Sequence, residues 1–223
     1  AARKYPGLTL IPGVEMSTDV EGGEVHLLGY YINYRNAKLQ EILADLRLGR
    51  EGRAKKMVRK LAELGMPVDW ERVKELSDGG AIGRPHIAQA MLEKGYIASP
   101  REAFTEYIGR DGPAYVKREK MTPQEAVELV LQANGLPVLA HPLTINDLET
   151  MVIELKAAGL VGIEAYYDGY TAEEINRLVS LADKHNLIAT GGSDYHGLDA
   201  NAETMIGGAA VPTEAAEQLI ALA

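Results

Sequence analysis

Asp194 and His196 lie two residues apart, directly after the glycine pair Gly191-Gly192 that ends the apolar run Leu187-Ile188-Ala189. Glycines allow the backbone to turn sharply and to approach a ligand closely. A carboxylate and an imidazole past a strand end can aim one oxygen and one nitrogen into a common pocket, a mixture that divalent transition metals accept. In isolation the stretch also admits a solvated polar turn as the lesser reading. Its weight comes from other residues of the same kind. Glu15 follows Pro12-Gly13, just past a predicted buried strand at Leu8–Ile11. His26 lies within a predicted strand at Glu24–Tyr31, and the turn signal Glu21-Gly22-Gly23 folds this strand back as a hairpin that returns His26 towards Glu15. His141 ends the buried strand Leu136–Ala140. Glu15, His141, Asp194 and His196 therefore follow the C-terminal ends of three predicted strands, the face on which α/β barrels gather their chemistry.

The elements that would position these residues fall into two classes. From Leu39 to about Phe104 the apolar spacing is helical (Leu39, Ile42, Leu43, Leu46, then Met57, Val58, Leu61, Leu64). Arg47, Arg50, Arg53, Lys55, Lys56, Arg59 and Lys60 make this the most basic part of the chain, a solvated helix face or a wall for a phosphorylated substrate. Pro85 in Gly83-Arg84-Pro85-His86 opens a second helix, so Arg84 and His86 sit at a helix N-terminus, which favours anions. Ser99-Pro100 with Glu102 starts a third helix through a capping box. From Thr122 onwards strand and helix alternate. Helices are predicted from Thr122 to about Ala133, Ile145 to Ala158, and Thr171 to His185. Between and after them come strands at Leu136–Ala140, Val161–Tyr166 and Leu187–Thr190. This alternation indicates parallel α/β units. His185 falls at a helix C-terminus, a favourable place for a cation, and is assigned no chemistry. Glu164 and Asp168 lie near a strand end and are supporting candidates only.

Composition narrows the classes. With 223 residues, 46% of them hydrophobic, the chain can bury a sizeable core. No apolar run approaches a membrane span. Cysteine is absent, so any metal is held by His, Asp and Glu, and the composition suits a cytoplasmic protein. A net charge of −9 argues against a broadly basic nucleic-acid surface but permits a local basic pocket.

Five motifs occur in order: Pro12-Gly13-Val14-Glu15, Glu24-Val25-His26-Leu27-Leu28-Gly29-Tyr30, Gly83-Arg84-Pro85-His86, Leu139-Ala140-His141-Pro142, and Gly191-Gly192-Ser193-Asp194-Tyr195-His196-Gly197. Together they resemble the PHP family (polymerase and histidinol phosphatase). More closely they resemble its bacterial metal-dependent phosphoesterases, which include nucleoside 3′,5′-bisphosphate phosphatases and 5′-to-3′ exonucleases acting on short RNA. The resemblance implies an α/β fold, a distorted (β/α)7 TIM-like barrel from residues 1–38 and 120–223, with a helical insertion domain at 39–119. It implies two or three divalent ions (manganese, iron or zinc) and hydrolysis of phosphate esters by metal-activated water. By motif, Glu15 would bridge two ions, His26 and His141 would complete the site on one side, Asp194 would bind on the other, and His196 would reach a third ion or assist proton transfer. Arg84 and His86 would bind substrate phosphate, with Lys117 and Arg118 as weaker candidates. The implied partner is a phosphorylated small molecule, nucleotide or short oligonucleotide; neither a membrane nor a protein partner is indicated. The family's opening His-x-His strand, the Asp after it and a later Asp-His pair have no counterpart here, because none of the five histidines precedes Glu15. The barrel is therefore expected to be N-terminally incomplete as given, with the missing segment belonging to the natural protein. The residues alone also leave open an amidohydrolase-type metal-dependent hydrolase and a non-catalytic binding module.

Overall fold

The structure, a computed structural model, describes residues 4–20, 23–80, 82–117, 121–195 and 205–223. The chain divides into two units, one from residues 1–39 and 120–223 and the other from residues 40–119.

The first unit is built on a five-stranded sheet with the strands side by side in chain order. Strand β1 (Gly13–Val20) pairs antiparallel with β2 (Gly23–Tyr30), one residue opposite one from Gly13↔Tyr30 to Val20↔Gly23. Period-two alternation assigns the faces. Met16, Thr18, Val25 and Leu27 point into the core. Glu15, Ser17, Glu24, His26 and Leu28 take the opposite face. The buried Thr18 hydroxyl is satisfied by donating to the Val25 carbonyl at 2.7 Å. Strand β2 runs antiparallel to β3 (Leu136–Leu139), and β3, β4 (Gly162–Tyr167) and β5 (Ile188–Gly192) are parallel. An antiparallel hairpin thus flanks a parallel βαβαβ array. The two crossovers carry helices at Leu148–Ala158 and Ala172–Lys184.

The helices start where local chemistry dictates. At Pro123–Gln132, Thr122 and Glu125 exchange hydrogen bonds in a capping box, and at Ala172–Lys184, Thr171 and Glu174 do the same. The helix at Pro123–Gln132 buries Ala126, Val127, Leu129 and Val130. The C-terminal helix, Thr213–Leu222, brings Leu219 against Val138 and Ile188, with Leu28 and Tyr30 packed at the edge of this cluster.

Two expectations about the N-terminal stretch are corrected. Leu8–Ile11 is not a buried strand: Leu8 and Leu10 are 59% and 75% exposed. Glu15 accordingly lies inside a strand, not past the end of one. The reason is register. A strand needs a ladder partner, and the hairpin pairs Gly13–Val20 with Gly23–Tyr30 along their full lengths. No described residue pairs with Leu8–Ile11 in a sheet. The helix expected from Ile145 begins at Leu148, after Asp147 adopts a left-handed conformation at φ 47°.

The second unit is helical. Helix α1 (Ala37–Glu63) opens it, followed by α2 (Trp70–Leu76), α3 (Arg84–Glu93), a short helix at Pro100–Glu102 and a π-helical stretch at Ala103–Ile108. Its core is formed by Met57, Leu61, Val73, Ile87, Met91 and Ile108, all essentially inaccessible to solvent.

Gly191 in β5 is the tightest backbone approach in the sheet. It pairs with Tyr166 at a register irregularity between Glu164 and Tyr166, and a Cβ there would run into the Tyr166 backbone and Cβ. Because the obstruction is largely main chain, a side chain is not accommodated by rotamer changes. Gly191→Ala is expected to destabilise the protein by about 2 kcal/mol or more, within the range for overpacked sites, measured as a lowered midpoint in urea unfolding.

Candidate metal centre

Glu15 and His26 are diagonal neighbours on one face of the β1–β2 hairpin, because Ser17, two residues after Glu15, sits opposite His26. His141 reaches the same place from the end of β3, and β3 pairs with β2 so that Leu139 lies opposite Leu27. The adjacent strands therefore carry all three side chains to one point. His26 Nδ1 is 2.7 Å from Glu15 Oε1, His141 Nε2 is 3.3 Å from the same oxygen, and the two nitrogens are 3.1 Å apart. Their side chains are 24–32% exposed, so the triad opens to solvent. His141 is in the left-handed region at φ 51° and Asp194 at φ 48°, a conformation that costs a non-glycine residue about 1–3 kcal/mol and clusters at functional sites.

Three lone-pair-bearing atoms can converge only around positive charge. Without a metal, protons supply it. Hydrogen bonds from His141 and then His26 hold the Glu15 carboxyl far below the usual carboxylate range. The bond to Glu15, helped by one to Glu24, pushes His26 up to about 9. For His141, burial opposes the charge, but the Glu15 hydrogen bond and the Glu164 carboxylate leave its pKa above the ordinary value. A metal fits the same triangle. Bonds of about 2.0–2.2 Å to nitrogen and oxygen place neighbouring donors roughly 2.8–3.5 Å apart around one ion. The observed edges of 2.7, 3.1 and 3.3 Å fall at or within a tenth of an ångström of that range.

Glu24 supports the triad. Its Oε1 lies 3.3 Å from His26 Nε2. A proton on Nε2, directed at this carboxylate, leaves the Nδ1 lone pair facing Glu15 and His141, the arrangement by which outer carboxylates orient metal-binding imidazoles. Glu-x-His places both side chains on one face of a strand, so the sequence does carry a signal for Glu24. Tyr167, at the end of β4, carries none that a local pattern could reveal. Its hydroxyl donates to Asp194 Oδ2 at 3.0 Å, and its ring centroid is 5.8 Å from that of His141. Burial, then the bond to Asp194, keeps this phenol protonated as a donor. Glu164 lies behind the site in β4. It is 4% exposed, its Oε2 has no hydrogen-bond partner among the described residues, and burial raises its pKa to about 7.

The structure thus brings Glu15, His26 and His141 together. Asp194 stands beside them through Tyr167, outside the close triad. His196 lies outside the described residues, as does Arg118. His185 sits at a helix C-terminus, 3.1 Å from Glu149. Arg84 and His86 belong to the helical unit. His86 takes the capping-box position of α3, accepting the Gly83 N–H through Nδ1 at 3.0 Å, and burial lowers its pKa. The Arg84 guanidinium lies 5.4 Å from the Phe104 ring centroid. Among the described residues no helix is long and apolar enough to cross a membrane.

A 5′-3′ exoribonuclease of Haemophilus influenzae is 32% identical over 199 residues, which cover 87% of this chain and 72% of that protein. A 3′,5′-nucleoside bisphosphate phosphatase of Chromobacterium violaceum is 29% identical over 201 residues, 88% of this chain and 70% of that protein. A crystal structure from Bifidobacterium adolescentis, assigned as a metal-dependent phosphoesterase, matches with a TM-score of 0.83 at 26% identity, over 99% of this chain and 79% of that one. No family model matches the chain. At this level of identity and coverage, and with a matching fold, the chain belongs to the PHP-like phosphoesterase family of the bacterial 5′-3′ exoribonucleases.

Proposed function

We propose that the protein hydrolyses phosphate esters of nucleotides or short oligonucleotides, in the manner of the nucleoside bisphosphate phosphatase and 5′-3′ exoribonuclease branch. The observation that carries the reading is the convergence of Glu15, His26 and His141 on one ligand-sized triangle. In this reading the five strands belong to a distorted (β/α)7 barrel, with residues 39–119 as its helical insertion domain. Glu15, His26 and His141 hold a divalent ion. Asp194 and His196 serve a set of two or three such ions, with manganese, iron and zinc all compatible with nitrogen and oxygen donors. A bound divalent ion neutralises phosphoryl oxygens, lowers the pKa of water and stabilises the leaving oxygen.

The side chains have distinct tasks. Glu15 contributes a carboxylate that, in the metal-free protein, hydrogen bonds from His141 and His26 keep ionised through the physiological range. Glu24 fixes the His26 tautomer. Tyr167 holds the Asp194 carboxylate in place through its phenol. Arg84 and His86 bind substrate phosphate, supported by the Arg84 charge and their place at the N-terminus of α3, where the helix dipole favours an anion. This reading is tested by assaying manganese-loaded protein on nucleoside bisphosphates and short 5′-phosphorylated RNA. Turnover is expected, with Glu15→Gln lowering it about 100-fold or more. Activity on amides or lactones with none on phosphate esters would overturn it.

Two further outcomes follow from the electrostatics of the triad. With its pKa at about 9, His26 carries a proton at pH 7 in the metal-free protein. Metal coordination requires the neutral ring. Binding should therefore release about one proton from His26, and affinity should fall about tenfold per pH unit below pH 9. Calorimetry in buffers of different ionisation enthalpy measures this directly. Glu24→Gln should weaken metal binding by about 10- to 100-fold while the fold, followed by circular dichroism, is retained.

A further inference from the structure

Within the helical unit, the middle of α1 and the residues Val116 and Lys117 line an open cavity of about 490 Å3. Its walls are apolar at Ile42, Leu46 and Val116, acidic at Asp45, and cationic at Arg53, Lys56 and Lys117, so three cations outnumber one carboxylate. The segment carrying Val116 and Lys117 is tied to the helix through its carbonyls: Arg53 Nε donates to Val116 at 2.6 Å and Lys60 Nζ to Tyr115 at 2.8 Å. The Arg53 guanidinium also lies 5.3 Å from the Tyr115 ring centroid. The pocket is thus built from cross-braced parts. Lys56 and Lys117 contrast with these two residues: among the described residues, neither makes an ion pair or hydrogen bond. In a chain of net charge −9, two lysines with no ion-pair partner among the described residues, side by side at one cavity, suit an external anion.

Two lining residues, Gly49 and Gly52, reinforce this. Both lie in the interior of a 27-residue helix, where glycine is unfavourable. No packing requirement explains them, since a Cβ on either would meet nothing within 4 Å. What they do is keep the cavity open.

We infer that this cavity binds a nucleoside phosphate, free or as one unit of an oligonucleotide, with the phosphate on Lys56 and Lys117 and the sugar and base along Ile42, Leu46 and Val116. The volume suits a ligand of that size, and the pairing of lysines with an apolar wall suits a molecule that is anionic at one end and flat and weakly polar at the other. The inference rests on the phosphoesterase reading only for the choice of nucleotide probes.

The test is equilibrium binding to the whole chain in chelator, where hydrolysis is silent and a failure of the catalytic reading leaves the result untouched. The probes are adenosine monophosphate and a fluorescein-labelled tetraribonucleotide. Lys56→Ala/Lys117→Ala is expected to weaken binding at least tenfold. For the RNA it should flatten the dependence of log K on log salt by about 1.4, or 0.7 for each phosphate of a single strand that is no longer neutralised. Gly52→Leu, which fills the cavity and favours the helix, should raise the melting temperature and still weaken binding. Equal loss for both probes marks a mononucleotide site; loss for the RNA alone marks a site for one unit of a strand. Unchanged affinity for both probes in the double lysine variant, or in a folded Gly52→Leu protein, would overturn the inference.

Discussion

Glu15 is the residue on which the site depends. Its carboxylate is the common partner of two imidazoles that would otherwise face each other at 3.1 Å with their lone pairs opposed. Positive charge has to occupy the space between the three atoms. Protons satisfy that demand in the metal-free protein and a divalent ion satisfies it otherwise. The same geometry therefore couples metal binding to proton release. It also explains the supporting groups. Glu24 is placed to hold the outer nitrogen of His26, and the buried Glu164, when ionised, adds negative potential behind the cluster.

The sheet converts strand register into ligand geometry. In the hairpin, Glu15 and His26 come from different strands, so their approach is set by which residue lies opposite which; a shift of one residue would turn one of them to the buried face. The third member of the candidate site, His141, arrives on a parallel strand, where functional groups gather just beyond the C-terminal ends. His141 and Asp194 both leave their strands through left-handed backbone, a local cost consistent with side chains that must turn back over the sheet end. Behind this surface, Leu28, Val138, Ile188 and Leu219 form an apolar floor. The hydrophobic packing that stabilises the unit thus also anchors the strands that carry the candidate site.

The helical unit answers a different requirement. Its basic helix reads in the sequence as one charged face, but the structure divides the cations by role. Lys55 pairs with Glu51 and Arg59 with Glu63 along the helix, pairs worth little in stability at the surface. Arg53 and Lys60 clamp the segment at residues 113–117 by its carbonyls. Lys56 remains at an open cavity. Charge alone does not separate these roles, because the partners of Arg53 and Lys60 are backbone atoms more than 50 residues away.

Much of the molecule is legible in the sequence because it is written in local chemistry. The capping boxes at Thr122 and Thr171 start helices through bonds spanning three residues, and the apolar runs at Leu136 and Leu187 become strands of the sheet. The pairing of a hairpin with α/β units and the ligand-type residues at Glu15, His26 and His141 are also readable, since residue type and period suffice for them. Leu8–Ile11 shows the limit: four apolar or β-favouring residues in a row satisfy a strand pattern, but only a ladder partner makes a strand, and that partner is chosen by long-range register. Tyr167 and Asp194 are 27 residues apart and meet only because β4 and β5 are adjacent. Composition and motif named the atoms that could bind a metal; tertiary structure decided that three of them share one point, because strand pairing brings distant residues within a few ångströms and no local pattern encodes it.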